Sequence, residues 1–181
     1  MKKFPVRDMA LCALFAALTA VCAWISFPIS EISITLQTFA IFLALGVLGG
    51  KRGTIAIAVY ILLGLVGLPV FSGFRGGFGV LMGATGGYIL GFLGSGLLYW
   101  LITGLLGDKP WVRLTAMILG NLLCYAFGSL WFYQVYIGAG KEITLTVILS
   151  MCVIPYIPMD AAKILLAFLL TGRLKRLPFV K

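Results

Sequence analysis

CVIPYIPMDAAKILLAFLL, residues Cys152 to Leu170, sets an acid, Asp160, and a base, Lys163, three residues apart in a segment otherwise composed for hydrocarbon. A charged group at mid-bilayer costs roughly 3 kcal/mol on insertion scales, so ionisable residues in spans pair, line a cavity or serve a site. Pro155 and Pro158 interrupt the helix just upstream, since proline removes a backbone donor and clashes with the preceding turn. The chain can therefore open polar space at this depth. A helix restarting near Pro158, a position proline favours because its missing N–H is not needed there, predicts Asp160 in the first turn and Lys163 one turn on, on the same face.

Outward from that segment, composition fixes the class. The chain has 181 residues, of which 62% are hydrophobic and 10% charged, and a mean hydropathy of +1.13. A soluble globular domain usually carries about 25% charged residues, so the sequence predicts an all-α, polytopic membrane protein forming one membrane domain over residues 1–181. A net charge of +9 would point to nucleic acid if the cations shared a soluble face, but they fall in short clusters between apolar runs, which topology explains better. Cys12, Cys22, Cys124 and Cys152 all lie in apolar stretches without CxxC spacing, and histidine is absent. Neither a disulfide framework nor a metal site is expected, and no cofactor. The opening MKKFPVRDMA precedes an apolar run like a signal peptide, but no small-residue cleavage site precedes a soluble body, so it reads as a first transmembrane helix.

Runs long enough to span, about 20 residues for a helix, predict six helices near 9–27, 33–49, 54–71, 78–106, 112–138 and 143–172. Lys2, Lys3 and Arg7, then Lys51 and Arg52, then Lys109 and Arg113, then Arg173, Lys175, Arg176 and Lys181 alternate with pairs of spans, so eleven of the fourteen basic residues fall on one side. The positive-inside rule puts that side, with both termini, in the cytoplasm. Of the other three, Lys141 adjoins Glu142 in a short turn and reads as a solvated loop charge, Lys163 is intramembrane, and Arg75 falls at the external mouth of the bundle.

Arg75 sits in the glycine-rich stretch GLVGLPVFSGFRGGFGVLMGATGGYILGF, Gly64 to Phe92. No GxxxxGK[ST] occurs and no strand-to-helix context surrounds these glycines, so a phosphate loop and an ATPase are rejected. A re-entrant loop and close helix contacts through Gly83, Gly87 and Gly91 both remain open. Gly86 and Gly87 could touch ligand through backbone or could simply permit packing. Phe71, Phe74, Phe78 and Tyr88 would suit a partly apolar ligand, or anchor in lipid. Gln37 is expected about one turn inside the second helix, where a lone Gln is more often a helix-to-helix hydrogen bond than a ligand contact, and Asn121 and Gln134 take the same reading. In the first span Ala13 with Ala17, and Ala16 with Ala20, recur at helical spacing, which fits internal packing better than a docking face for another subunit on spacing alone.

Gln37, Arg75, Asp160 and Lys163, with Tyr88 as amphipathic neighbour, are then the polar residues topology does not explain. Only Asp160 of the five acidic residues is intramembrane, so no paired carboxylates exist for a proton relay, and no nucleophile stands with a base. An enzyme is not expected. The set suits a small solute with an anionic end and N–H donors.

The stretches ITLQTFAIFLALGVLGGKRGTIAIAVYILLGLVGLPVFSG, GATGGYILGF and IPYIPMDAAKILLA, with their ITLQ, GLPVF, GGY and PxDxxK elements in order, resemble the BioY family over nearly the whole chain. Members are biotin-specific substrate-binding membrane subunits, or S-components, of energy-coupling-factor (ECF) vitamin transporters. The resemblance implies a six-helix fold with a biotin site near the external surface, capped by the loops between helices one and two and between three and four. It implies as partners a transmembrane coupling subunit and two cytoplasmic ATPases, docked through the alanine motif of the first helix. Asp160 and Lys163 match the family's biotin-site acid and base, and Arg75 falls where a polar loop residue reaches the ligand. Some members carry arginine directly after GGY, where this chain has Ile89, and Arg75 is the candidate to substitute for it.

Three rival readings stand beside this one. In a structural or assembly subunit Asp160 and Lys163 would merely satisfy each other. A subunit for another vitamin would share the scaffold, though a thiamine site must accept a cation, and two cations against Asp160 favour an anion. A secondary transporter would follow an ion gradient, and the sequence lacks inverted-repeat similarity.

Overall fold

A computed structural model describes residues 5–28 and 33–176. Among these, eight helices and one short hairpin follow in order: α1 (Val6–Trp24), β1 (Ser26–Pro28), β2 (Ser33–Thr35), α2 (Gln37–Leu48), α3 (Gly50–Leu65), α4 (Phe78–Met82), α5 (Gly86–Leu106), α6 (Pro110–Gly138), α7 (Leu145–Cys152) and α8 (Ile157–Leu174). The chain is mostly helical, and the segments Val6–Trp24, Gly86–Leu106, Pro110–Gly138 and Leu145–Leu174 are long and apolar enough to cross a membrane.

The all-α expectation needs one amendment. Residues 26–28 and 33–35 form an antiparallel pair, Ser26 opposite Thr35 and Phe27 opposite Ile34, while most of the polar stretch expected as a turn after Pro28 lies outside the described residues. The second expected span also contracts: α2 has 12 residues, which at 1.5 Å per residue is about 18 Å of helix. Nearly every α2 side chain is buried, because α1, α3 and α8 all pack on it. A helix apolar all round belongs in a protein interior. Gln37 is the first residue of α2, not a turn inside it as the sequence predicted, since the hairpin uses residues that the longer span would have needed.

The third span ends at Leu65 rather than 71. Residues 66–77 fold back over the end of the bundle, where the Gly77 N–H donates to the Gly64 carbonyl at 2.7 Å, Phe71 and Arg75 form an antiparallel bridge, and the Trp24 indole donates to the Pro69 carbonyl at 2.8 Å. The fourth span is split, with the five-residue α4 separated from α5 at Gly83–Thr85. The sixth is broken as its prolines dictate. A single 3-10 turn, Ile154–Tyr156, joins α7 to α8, and Pro158 stands in the first turn of α8.

The basic clusters gather at one end. Asp8 at the start of α1 takes Arg52 of α3 at 2.8 Å, and Asp108 beyond α5 takes Arg113 of α6 and Lys175 beyond α8. Lys2, Lys3 and Lys181 lie outside the described residues. The starts of α2 and α5 therefore point to the other end, where the hairpin and the 66–77 loop lie.

Candidate functional site

At that other end a cavity opens between the hairpin, the start of α2, the 66–77 loop, α5, α6 and the α7–α8 break. Its volume is about 90 Å³, several times what one water needs. Its placement follows from the breaks described above: each interrupted helix exposes a polar residue to the interior instead of closing it with a further apolar turn.

The base of the site is α8. Because Pro158 restarts the helix, Asp160 falls in its first turn, where the helix dipole favours a carboxylate. Asp160 is only 5% exposed. Lys163 Nζ donates to Asp160 Oδ1 at 2.9 Å, and the Tyr125 hydroxyl of α6 donates to Oδ2 at 2.5 Å. A buried carboxylate held by a cation on one oxygen and a phenol on the other has its desolvation offset on both sides. Asn121, one turn before Tyr125, lines the same wall. Tyr125→Phe removes a donor to a charged acceptor, which is expected to cost about 1.5–3 kcal/mol of stability. Thermal unfolding in detergent reads this, and an unchanged midpoint would mean that Asp160 does not depend on Tyr125.

Across the cavity, Gln37 Nε2 donates to Tyr60 Oη at 2.9 Å, and the Tyr60 hydroxyl donates to the Val70 carbonyl at 3.1 Å. This chain of hydrogen bonds ties the start of α2 through α3 to the 66–77 loop. Gln37 thus makes the helix-to-helix bond expected of it and also lines the cavity. The Tyr88 ring lines the cavity while its hydroxyl, buried, shares a hydrogen bond with Ser129 Oγ at 3.1 Å. Phe71, Ile89 and Phe92 complete an apolar wall.

Arg75 stands at the mouth, exposed, with Nε donating to the Ser72 carbonyl at 3.2 Å. Among the described residues it has no acidic partner. The described lining therefore carries one carboxylate and two cations, Asp160 against Lys163 and Arg75, and is complementary to an anion.

Five of the residues singled out from sequence, Gln37, Arg75, Tyr88, Asp160 and Lys163, thus meet in one cavity. Gly86 and Gly87 do not line it. A Cβ at Gly86 would strike the Leu81 carbonyl of α4, and one at Gly87 would enter the Trp131 side chain of α6, so their small size serves packing. Of the aromatics, Phe71 joins the lining, Phe74 stacks on Trp24 with centroids 5.1 Å apart, and Phe78 is exposed. Asn121 enters the lining, whereas Gln134 is exposed and outside it. Tyr125, Thr35, Thr38 and Ser72 line the cavity without having been singled out. The Ser72 hydroxyl is buried with no partner among the described residues. Only the i, i+4 pairing of Asn121 with Tyr125 could have signalled the α6 wall.

The alanines of α1 separate by face. Ala16 and Ala20 are buried within the chain, on the side of α1 that packs on α2 and α3, whereas Ala13 and Ala17 face outward beside the exposed Leu14.

Residues 1–178 match the BioY family. The chain is 38% identical over 176 residues to the biotin transporter BioY of Thermotoga maritima, covering 95% of this chain and 98% of that protein. It is 38% identical over 169 residues to the probable biotin transporter BioY of Pyrococcus horikoshii, covering 93% and 96% respectively. The crystal structure of the S-component for biotin from an ECF-type ABC transporter superposes with a TM-score of 0.81 at 27% identity, covering 95% of this chain and 92% of that one.

Proposed function

The chain belongs to the BioY family, and we propose on that premise that it is the substrate-binding subunit of an ECF-type transporter, capturing biotin and passing it inward. The observation that carries the reading is the convergence of Asp160, Lys163 and Arg75 on one cavity at the end of the bundle away from the basic clusters. Six membrane crossings are proposed, by α1, α2, α3, α5, α6 and the broken α7–α8 segment, within one domain of residues 1–181. Both termini are in the cytoplasm of a prokaryotic cell, and the cavity opens outward through the cell membrane.

Biotin enters from outside. Its fused rings rest against Tyr88, Phe71, Ile89 and Phe92, and its ureido N–H groups donate towards Asp160. The ureido carbonyl accepts from Lys163, and the carboxylate pairs with Arg75 at the mouth, in place of the arginine that some family members carry after GGY, where this chain has Ile89. Gln37 fixes the start of α2 and the loop through Tyr60. Closure of the 66–77 loop and the hairpin over the ligand excludes water, which strengthens each polar pairing as the local dielectric falls. No bond in the ligand is broken, and the chain acts as a transport subunit rather than an enzyme.

Ala13 and Ala17 supply the outward small-residue face for the transmembrane coupling subunit, since small side chains let helices approach closely in lipid. That subunit and two cytoplasmic ATPases then tilt the loaded chain toward the cytoplasm. Uptake of labelled biotin by cells expressing the chain with these three partners tests the reading. Accumulation that needs the chain supports it, and accumulation equal to that of cells lacking the chain overturns it. Arg75→Ala is expected to weaken biotin binding about tenfold, the scale of one charge-assisted hydrogen bond, as titrated on the purified chain. Unchanged affinity would remove Arg75 from the carboxylate.

A further inference from the structure

The end of the bundle opposite the cavity carries a second concavity that solute capture does not use. A groove of about 740 Å³ runs between the start of α1, the α2–α3 turn and the last turns of α5, with Asp8, Lys51, Arg52, Trp100 and Asp108 on its walls. It continues into an apolar trough along α5 formed by Leu97, Leu101 and Leu105, and Trp100 and Gly104 belong to both. The three leucines are 51%, 57% and 76% exposed, and their i, i+4, i+8 spacing puts them on one outward face. A Cβ at Gly104 would meet nothing within 4 Å, so the junction of groove and trough is open.

The two carboxylates of the groove are already matched. Asp8 pairs with Arg52, and Asp108 with both Arg113 and Lys175. Lys51 is exposed and has no acidic partner among the described residues. The lining sets Lys51 and Arg52 against Asp8 and Asp108. Because Asp108 is met by Arg113 and Lys175 beside the groove, Lys51 is left as uncompensated positive charge on its wall, with Trp100, of the kind that favours the headgroup level of a bilayer, at the junction with the trough. An occupant that satisfies both parts is anionic at one end and a long apolar chain at the other. A soluble anion would leave the trough uncovered, and a zwitterionic lipid would answer the surplus charge more weakly.

We propose that this groove and trough hold one anionic phospholipid, with its phosphate at Lys51 beside Arg52 and Trp100 and one acyl chain along Leu97, Leu101 and Leu105. Basic recesses between membrane helices bind lipid headgroups through the same chemistry.

Native mass spectrometry of the purified full chain, after exposure to equal amounts of phosphatidylglycerol and phosphatidylcholine with the same acyl chains, tests this. The expected result is a single retained lipid with phosphatidylglycerol preferred. Lys51→Gln lowers that preference about fivefold, the worth of one interfacial cation, and Lys51→Arg restores it. Gly104→Phe, which fills the junction from an open position, lowers retention of the phospholipid. Arg173→Gln, an exposed cation outside the groove, leaves the preference unchanged. Each variant is matched to the parent chain by gel filtration and thermal unfolding, and the Gln and Arg forms of residue 51 keep the comparison meaningful if Gly104→Phe does not fold. Equal retention of the two lipids overturns the proposal, as does an effect of Arg173→Gln as large as that of Lys51→Gln. Retention of glycerol phosphate as firm as that of the lipid would also overturn it, because the trough would then contribute nothing.

Discussion

Asp160→Ala is expected to abolish biotin binding and to destabilise the fold by about 3–5 kcal/mol, the usual effect of removing one partner from a buried ion pair. Lys163 has Asp160 as its ion-pair partner at 2.9 Å, with a side chain only 11% exposed, so the substitution leaves a largely buried cation without its counterion. It also strips the Tyr125 hydroxyl of the oxygen to which it donates. Asp160→Asn should be milder in stability, because an amide oxygen can still accept from Tyr125, yet it should still weaken biotin binding since Lys163 loses its counterion. Thermal unfolding and biotin titration of the two variants separate charge from shape. If Asp160→Asn bound biotin as tightly as the parent chain, the pair would be a structural brace rather than a ligand site. That alternative has a definite basis, since Asp160 is already bonded on both oxygens. Against it stands the cavity that opens directly on the pair.

The second large effect belongs to Gly128. A Cβ there would overlap the Tyr88 ring, and among the described residues α5 against α6 is the most extensive helix pair. Gly128→Val must therefore push the helices apart or drive the ring out of the cavity wall. Overpacking of this kind costs about 1–3 kcal/mol and occasionally more, and the buried Tyr88–Ser129 hydrogen bond is lost with it. Biotin binding is expected to fall to background even in whatever fraction remains folded. Gly104→Ala, in the same helix pair but with open space around its Cβ, should be neutral or slightly stabilising, since alanine exceeds glycine in helix propensity by about 0.8–1 kcal/mol. If Gly128→Val unfolded at the same temperature as Gly104→Ala and bound biotin normally, the close approach of Tyr88 to α6 would be refuted.

What the sequence makes legible is mostly what hydrocarbon makes expensive. A charge inside an apolar run must be answered nearby, so Asp160 and Lys163 stood out, and two prolines upstream fixed where their helix restarts. The basic clusters on the side of the termini are legible because topology disposes them, and the structure gathers Arg52, Arg113 and Lys175 of those clusters at one end. Shorter elements were not. Three-residue strands lie below the length at which alternation can be read, and in the fold they displaced the start of α2 to Gln37. The glycines were ambiguous for a different reason. Their missing side chains signal close approach without saying of what, and at Gly86 and Gly87 the protein neighbours are Leu81 and Trp131. Tyr125 was silent because a tyrosine in an apolar span ordinarily needs no explanation. Its role exists only once α6 is laid against α8.

Equilibrium binding of labelled biotin to the purified chain in nanodiscs, with thiamine and riboflavin as competitors and Lys163→Ala alongside, is the most direct measurement. One biotin per chain, undisturbed by either competitor and lost in Lys163→Ala, is the expected result. A folded, monodisperse chain that binds no biotin, or a Lys163→Ala variant that binds it unchanged, would contradict a ligand site built on the Asp160–Lys163 pair.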